Sequence, residues 1–280
     1  MAEAIADRVR RYILDGSDAD LRRLMSISEV FADDARRSLA TAGGTAGGSV
    51  LDCGCGPMGA LATMSELVGP TGRAVGVDFS EPTVARARAV MDALGLDNVE
   101  VFAGDLNELS VSDLGGPFDV AFTRLFLMHQ VDPVRTLRQI AGLLRPGGCI
   151  VAHEAVRFPP PRSFPHLEAL AEYWELINQL IEQAGGPANV VERLPDAAVA
   201  AGLEVESTAG FFRTWPPELG FGLHAASMAA ARDRATSASV ADQIDDVVAR
   251  IKNADPAAYS WVASPFFLDL TFRKPAAGPS

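Results

Sequence analysis

Cysteine and positive charge are both scarce in this sequence. It has 3 cysteines in 280 residues, and Cys149 stands far from the pair Cys53 and Cys55. Neither a disulfide framework nor a zinc site fits this spacing, so we expect no metal site. The 24 basic residues face 36 acidic ones, which gives a net charge of −12. Because such a chain repels phosphate backbones and anionic lipid surfaces, we expect no nucleic-acid and no membrane partner.

Long apolar runs are missing as well. No stretch of about 18 or more apolar residues occurs, and the first residues do not combine a charged segment with an apolar one as a secretory leader does. The hydrophobic content of 48% is typical of a globular protein. We therefore expect a cytoplasmic protein in which residues 1–280 form one elaborated domain.

The segment VLDCGCGPMGA, residues 50–60, is the most informative part of the sequence. An apolar pair ends a strand, three glycines allow a sharp turn, and a helical pattern follows. This order is typical of a loop that holds a nucleotide-type ligand at a helix start. The spacing of Gly54, Gly56 and Gly59 also fits the dinucleotide fingerprint. The glycines alone therefore leave nicotinamide, flavin and adenosyl ligands open.

Two residues near the glycines favour a positively charged ligand. Asp52 places a carboxylate just before the first glycine, where it would repel a pyrophosphate and attract an ammonium or sulfonium group. Pro57 removes a backbone N–H from the part of the loop that should donate to phosphate. S-adenosylmethionine is the common ligand with this charge. We expect it as the cofactor, with S-adenosylhomocysteine as its product.

Strands and helices are predicted to alternate after this loop. Short apolar runs at 74–78, 99–103, 118–122 and 149–153 are separated by helical patterns. This alternation predicts an α/β protein with a parallel, doubly wound sheet, because parallel neighbours need helical crossovers.

Further helices are predicted on both sides of a cofactor-binding core at 49–154. The periodicity indicates N-terminal helices over 1–40 and helical lid insertions at 158–190 and 215–260. The aromatic residues of the later segments suit either an apolar acceptor pocket or ordinary core packing. They are Phe164, Tyr173, Trp174, Phe211, Phe212, Trp215 and Phe221.

From about residue 50 to residue 154 the chain resembles class I S-adenosylmethionine-dependent methyltransferases, especially the ubiquinone/menaquinone methyltransferase-like group with small-molecule substrates. The resemblance rests on DCGCG at 52–56, Asp78 at the end of the second strand, Gly104-Asp105 after the third, and LRPGG at 144–148. It implies a Rossmann-like sheet of seven strands in the order 3-2-1-4-5-7-6, with the last strand antiparallel. It also implies methyl transfer of the EC 2.1.1 type to a small-molecule acceptor, for which we expect a specialised (natural-product) metabolite.

Several residues are expected to bind the cofactor. Asp78 lies one β-α-β unit after Asp52, where a carboxylate can accept both ribose hydroxyls. Asp105 and Leu106 are placed to contact the adenine amino group and ring, and Arg124 is expected to offer its backbone to the ligand or to pair with an acid. The complete expected set is Asp52, Gly54, Cys55, Gly56, Asp78, Phe79, Asp105, Leu106 and Arg124.

Two residues are candidates for taking a proton from a hydroxyl acceptor. His129 follows the fourth strand and Glu154 ends the fifth, and both points lie at the carboxyl edge of a doubly wound sheet. Imidazole suits proton transfer near neutral pH, and a neighbouring carboxylate would orient it. A structural role stays open for both residues, since His129 can anchor a helix and Glu154 can pair with Arg157.

Other classes of function also stay open. The same fold can bind S-adenosylmethionine and direct a non-methylating reaction or a binding role, and a nicotinamide oxidoreductase would share the glycine loop. The sequence does not specify the acceptor, the methylated atom or the assembly state, for which a homodimer stays open.

Overall fold

The computed structural model describes residues 19–183, 189–232 and 235–276. The helices in these ranges are α1 (Ala19–Val30), α2 (Ala32–Thr41), α3 (Leu61–Val68), α4 (Glu81–Leu94), α5 (Val111–Leu114), α6 (Pro133–Leu143), α7 (Glu168–Gln183), α8 (Leu194–Ala200), α9 (Pro217–Ala230) and α10 (Ala238–Asn253). The strands are β1 (Ser49–Cys53), β2 (Arg73–Asp78), β3 (Val99–Ala103), β4 (Phe118–Arg124), β5 (Leu144–Ala155), β6 (Ser163–Phe164), β7 (Glu204–Phe211), β8 (Thr214–Trp215), β9 (Trp261–Ala263) and β10 (Phe267–Arg273).

Seven strands form the main sheet in the order β3-β2-β1-β4-β5-β10-β7. The first five are paired in parallel, and the last strands are antiparallel. Counted within this sheet, β7 is the sixth strand and β10 is the seventh. The predicted fold class and the predicted order 3-2-1-4-5-7-6 are therefore confirmed.

The central strands are buried because helices cover the sheet. Four of the five residues of β1 and four of the six residues of β2 are buried. Continuous burial of this kind explains why these strands read as short apolar runs. The parallel register pairs Cys53 with Val77 and with Thr123, so the carboxyl ends of β1, β2 and β4 meet at one edge. Ligands of doubly wound sheets bind at such an edge.

Helix α4 shows how the sequence sets the boundaries at this edge. The Ser80 hydroxyl caps the helix by accepting the N–H of Thr83, and Gly95 ends it in a left-handed conformation.

Of the predicted N-terminal helices, α1 and α2 lie within the described residues, and residues 1–18 lie outside them. Met25 and Leu39 are completely buried against the core, which fixes α1 and α2 on the sheet.

The chain divides into two compact units. The first comprises residues 1–154, 192–209 and 269–280, and the second comprises residues 155–191 and 210–268. Both segments predicted as helical insertions fall in the second unit, which contains α7, α9, α10 and a small antiparallel sheet of order β6-β9-β8. No helix in the described ranges has the length and apolar composition that a bilayer crossing requires.

Two glycines of α9 allow a matched test of packing in the second unit. A Cβ on Gly220 would lie 2.5 Å from Cβ of Val262, whereas a Cβ on Gly222 would meet no described atom within 4 Å. We expect Gly220→Ala to lower the free energy of unfolding by about 1–3 kcal/mol through overpacking. Gly222→Ala should raise it by about 0.5–1 kcal/mol, because alanine is the better helix former. Chemical unfolding followed by circular dichroism measures both, and effects of the same sign would contradict this packing.

Candidate cofactor and active site

The glycine loop after β1 is held against the end of β2. The N–H groups of Gly54 and Cys55 both donate to the Val77 carbonyl, at 2.8 and 3.0 Å. Gly59 has a φ of +52°, and a Cβ there would lie 2.1 Å from Oδ2 of Asp52. Position 59 therefore requires glycine both for its backbone conformation and for space.

Asp52 is a buried carboxylate beneath this loop. Its side chain accepts the N–H of Ala60 at 2.6 Å, at the start of α3, and 2% of the residue is exposed. Burial raises the pKa of Asp52 to about 6, although the Ala60 N–H and the Arg124 charge lower it. The neighbouring Asp78 raises this pKa further.

Asp78 contacts the same loop from the end of β2. Its Oδ2 accepts the N–H of Gly56 and its Oδ1 accepts the N–H of Ser80, each at 3.0 Å. Phe79, the next residue, is 84% exposed, which is unusual for a phenylalanine. A Cβ on Gly56 would meet no described atom within 4 Å, so the loop is open on that side. Asp78 and Gly56 are thus in direct contact, and Phe79 follows them as an exposed ring at the end of β2.

The expected adenine residues lie at the end of β3. Asp105 is exposed, and its Oδ1 accepts the backbone N–H and the side-chain amide of Asn107 at 2.9 and 3.1 Å. Among the described residues, no hydrogen bond to Oδ2 of Asp105 accompanies these two. Leu106 is 5% exposed and packs inward. Asp105 is therefore accessible at the sheet edge, whereas Leu106 is buried next to it in the chain.

Arg124 contacts the glycine loop through its side chain. Its Nη2 donates to the Gly59 carbonyl at 2.9 Å and to the Ser28 hydroxyl at 3.2 Å, which joins α1 to the loop. Nη1 is buried and has no hydrogen-bond partner among the described residues. Burial lowers the pKa of Arg124, and the charges of Asp52 and Asp34 raise it. The sequence predicted a backbone contact or an acid pair, and Ser28 was not foreseen.

Glu154 binds the backbone of the loop after β4. Its carboxylate is completely buried and accepts the Thr123 hydroxyl and the N–H groups of Phe126, Leu127 and Met128 at 2.9–3.2 Å. Burial raises the pKa of Glu154 to about 7, while these donors lower it. A carboxylate with both oxygens so engaged is not placed to take a proton from an acceptor. The geometry instead favours a role in holding the loop.

The two histidines near this edge differ in their surroundings. His129 is exposed at the end of the short 3₁₀ turn Leu127–His129, directly after the N–H groups that Glu154 binds. His153 is completely buried, with its Nε2 3.1 Å from Oγ of Ser38 and 3.4 Å from Oδ1 of Asp269. His153 therefore contributes to packing, and His129 is the accessible imidazole of the pair.

The aromatic residues expected to line an acceptor pocket fall into two groups. Tyr173, Trp174, Trp215 and Phe221 are at most 9% exposed, and Trp174 donates to the carbonyls of Val156 and Arg157. These side chains form the interior of the second unit. Phe164 and Phe212 are 61% and 55% exposed, and Phe211 stacks on Phe267 at a ring-centroid distance of 5.5 Å. The core interpretation therefore fits four of the seven.

Phe126 is, like Ser28, a residue of the site that the sequence did not predict. Phe126 packs on the first glycine of the loop, since a Cβ on Gly54 would lie 2.3 Å from its Cδ2. An apolar residue after a buried strand is ordinary in sequence, so only the pairing of β1 with β4 could have indicated this contact.

No group of three His, Cys, Asp or Glu side chains that could hold a metal ion occurs in the described part of the chain.

Comparison with known proteins identifies the family. A family model described as a methyltransferase domain matches residues 45–197, which is more than half of the chain. A demethylmenaquinone methyltransferase of Lactococcus lactis is 34% identical over 112 residues, covering 40% of this chain and 44% of that protein. The chain spans about half the length of the curated relatives it matches.

Two solved structures share the fold. One is a methyltransferase-like protein from Bacillus halodurans (TM-score 0.58, 15% identity, covering 87% of this chain and 100% of that chain). The other is the cyclase SpnF (TM-score 0.56, 22% identity, covering 88% and 81%). The sheet order, the acid after β2 and the family match lead to one conclusion: the chain belongs to the class I S-adenosylmethionine-dependent methyltransferases.

Proposed function

We propose that this protein transfers a methyl group from S-adenosylmethionine to a small-molecule acceptor. The observation that carries the proposal is the pair of carboxylates on the glycine loop. Asp52 takes the N–H of Ala60 and Asp78 takes the N–H of Gly56, so donors that a pyrophosphate would need are already used. Two negative charges beside the loop attract a cationic ligand and repel a dinucleotide. This arrangement supports the adenosyl ligand over nicotinamide.

The residues present fit this cofactor. We propose that Asp78 accepts the ribose hydroxyls, that Phe79 and Leu106 flank the adenine, and that Asp105 accepts its amino group. The open side of Gly56 and the backbone of Gly54 and Cys55 would contact the methionine portion. The assignment of Gly56 is supported by the absence of any described atom within 4 Å of a Cβ on that residue.

The charge of Asp52 suits the positive end of the ligand. A buried carboxylate whose pKa is raised to about 6 is stabilised in its ionised form by a nearby cation. Arg124 would act with it, because its buried Nη1 still has a donor to offer to the carboxylate of a methionine portion.

The reaction itself requires little from the protein beyond positioning. S-adenosylmethionine, when bound, supplies an electrophilic methyl group on a positively charged sulfur. The chain's own residues would hold the acceptor in line and exclude water. If the acceptor is a hydroxyl, we propose that the exposed His129 takes its proton, since Glu154 is engaged by the loop backbone.

The acceptor class follows from charge and from the relatives. A chain with a net charge of −12 repels nucleic acids, and the Lactococcus relative is named for a quinone substrate, demethylmenaquinone. We propose a small, largely uncharged acceptor, with a specialised metabolite as the first class to screen. SpnF shares this fold and is named as a cyclase, so the screen must also test for reactions without methyl transfer.

We predict that the protein binds S-adenosylhomocysteine and does not bind NAD. Asp78→Ala should weaken S-adenosylhomocysteine about tenfold or more, because it removes charge-assisted hydrogen bonds to the ribose and frees the Gly56 N–H. Asp97→Ala is the matched control, since Asp97 is an exposed acid in the turn before β3. Isothermal titration calorimetry on the three proteins measures the dissociation constants.

Two results would contradict the proposed function, and a third would contradict the role of Asp78. Tight NAD binding without any response to S-adenosylhomocysteine would make the protein a nicotinamide enzyme. The second result is a protein that binds S-adenosylmethionine tightly and converts an acceptor without forming a labelled methyl product. It would indicate a non-methylating reaction. Equal affinities in Asp78→Ala and wild type would place the ribose elsewhere.

We also predict that S-adenosylmethionine binding depends on pH through Asp52. The cation prefers the ionised carboxylate, so affinity should rise as pH increases through the pKa of about 6 and then level off. With one such group, binding should be about fourfold weaker at pH 5.5 than at pH 7. Calorimetry in buffers of different ionisation enthalpy should detect proton release at pH 6.

Asp52→Asn serves as the control for this linkage. Asparagine keeps an oxygen for the Ala60 N–H and loses the charge. The variant should bind more weakly at pH 7 and show no change in affinity between pH 5.5 and 7. A wild-type slope that persists in Asp52→Asn would assign the titration to another group.

A further inference from the structure

The loop after β4 is shaped by one buried anion. Three consecutive N–H groups, those of Phe126, Leu127 and Met128, point at the Glu154 carboxylate, and the Thr123 hydroxyl adds a fourth donor. Successive backbone N–H groups around one anion form a concave nest, which fixes the backbone that supplies them. The anion here is a side chain of the protein itself, so the nest is a permanent structural part and is not a vacant ligand site.

The backbone just before the nest adopts a conformation that leucine rarely takes. Leu125 has a φ of +53°, in the left-handed region where a side chain is disfavoured. Its N–H donates to the His153 carbonyl at 3.0 Å, next to Glu154 in β5. Leucine does not favour this conformation by itself. The contacts with β5, which are the His153 carbonyl at Leu125 and the Glu154 carboxylate just after it, hold the chain there.

The consequence of this turn is the position of the Phe126 ring. The ring packs on Gly54, since a Cβ there would lie 2.3 Å from Cδ2 and 3.0 Å from Cε2. Gly54 is the first glycine of the loop to which we assign the cofactor. The ring therefore borders the cofactor site, although Phe126 has no polar atom with which to bind it.

We propose that Glu154 is a positioning residue: its carboxylate holds the 125–128 turn so that the Phe126 ring forms one wall of the cofactor site at Gly54. The inference rests on the proposed function, because it assigns the ring a ligand to enclose. Glu154→Gln tests it directly. The glutamine amide would replace one accepting oxygen with an NH₂ group, which cannot accept an N–H. Replacing Oε2 removes the acceptor of Met128, and replacing Oε1 removes that of Leu127, while Phe126 keeps one of its two bonds. The turn should then open.

A double-mutant cycle separates positioning from a general structural role. S-adenosylhomocysteine affinity is measured by calorimetry for wild type, Glu154→Gln, Phe126→Ala and the double variant. We expect each single variant to bind at least fivefold more weakly, and the double variant to bind no more weakly than the worse single one. Such non-additivity is expected when one residue acts through the other. Losses that multiply in the double variant would overturn the proposal.

Amide hydrogen exchange in the full chain supplies the second readout. In Glu154→Gln the amides of residues 126–128 should exchange at least tenfold faster than in wild type, while those of Val50 and Val120 in the central strands stay slow. In Phe126→Ala the amides of residues 126–128 should remain protected. Unchanged exchange in Glu154→Gln would show that the carboxylate does not fix the turn, and would overturn the proposal.

Three further outcomes decide the remaining cases. If Glu154→Gln does not fold, Thr123→Val takes its place, because it removes one donor to Glu154 and leaves the backbone intact. Its loss of affinity should vanish in a Phe126→Ala background, and a loss that persists there would overturn the proposal. Phe126→Ala affinity within twofold of wild type would overturn it as well. A wild-type protein that does not bind S-adenosylhomocysteine would refute the proposed function, and the exchange measurement would still decide whether Glu154 fixes the turn.

Discussion

Hydrogen bonds from backbone N–H groups to three carboxylates hold the loops of the candidate site in place. Asp52 fixes the start of α3, Asp78 fixes the second glycine of the loop, and Glu154 fixes the turn after β4. Two of these carboxylates are buried, and a buried charge is costly unless donors surround it. The N–H groups offset that cost, because each lies at a helix start or in a turn, where no backbone carbonyl of the same helix or strand is available to it. The loops and the carboxylates therefore depend on each other for a folded site.

The raised pKa values at this edge follow from the same arrangement. Burial raises the pKa of Asp52 to about 6 and that of Glu154 to about 7, and in both cases the bound N–H groups oppose the shift. Perturbed carboxyl groups are common at functional sites, but they also occur where an acid only supports a loop. Asp52 lies beside the glycine loop, and Glu154 faces the backbone of the following turn. Similar shifts thus accompany two different roles.

Much of the fold and part of the site could be predicted from the sequence. The period of apolar residues and the glycine loop predicted the parallel, doubly wound sheet, because burial and turn geometry act over a few neighbouring residues. The number and order of the seven strands came from the resemblance to the methyltransferase family. The family motifs located Asp78 correctly at the end of β2. The partners of Arg124 and Glu154 could not be predicted, since they depend on Ser28, Gly59 and three backbone amides of elements distant in sequence. Such contacts have no local pattern.

The space shared by Asp52 and Gly59 limits how this loop can evolve. The carboxylate of Asp52 occupies the position that any side chain at residue 59 would need, with only 2.1 Å between Oδ2 and a Cβ. Replacing Asp52 by a smaller residue would remove this clash, but the positive φ of residue 59 and the Cys55 carbonyl, 2.8 Å from the same Cβ, would still disfavour a side chain there. Replacing Asp52 first would remove the acceptor of the Ala60 N–H and the charge beneath the loop. Position 59 is therefore the more restricted of the two, because Asp52 can change while Gly59 stays, whereas a side chain at 59 first requires a change at 52.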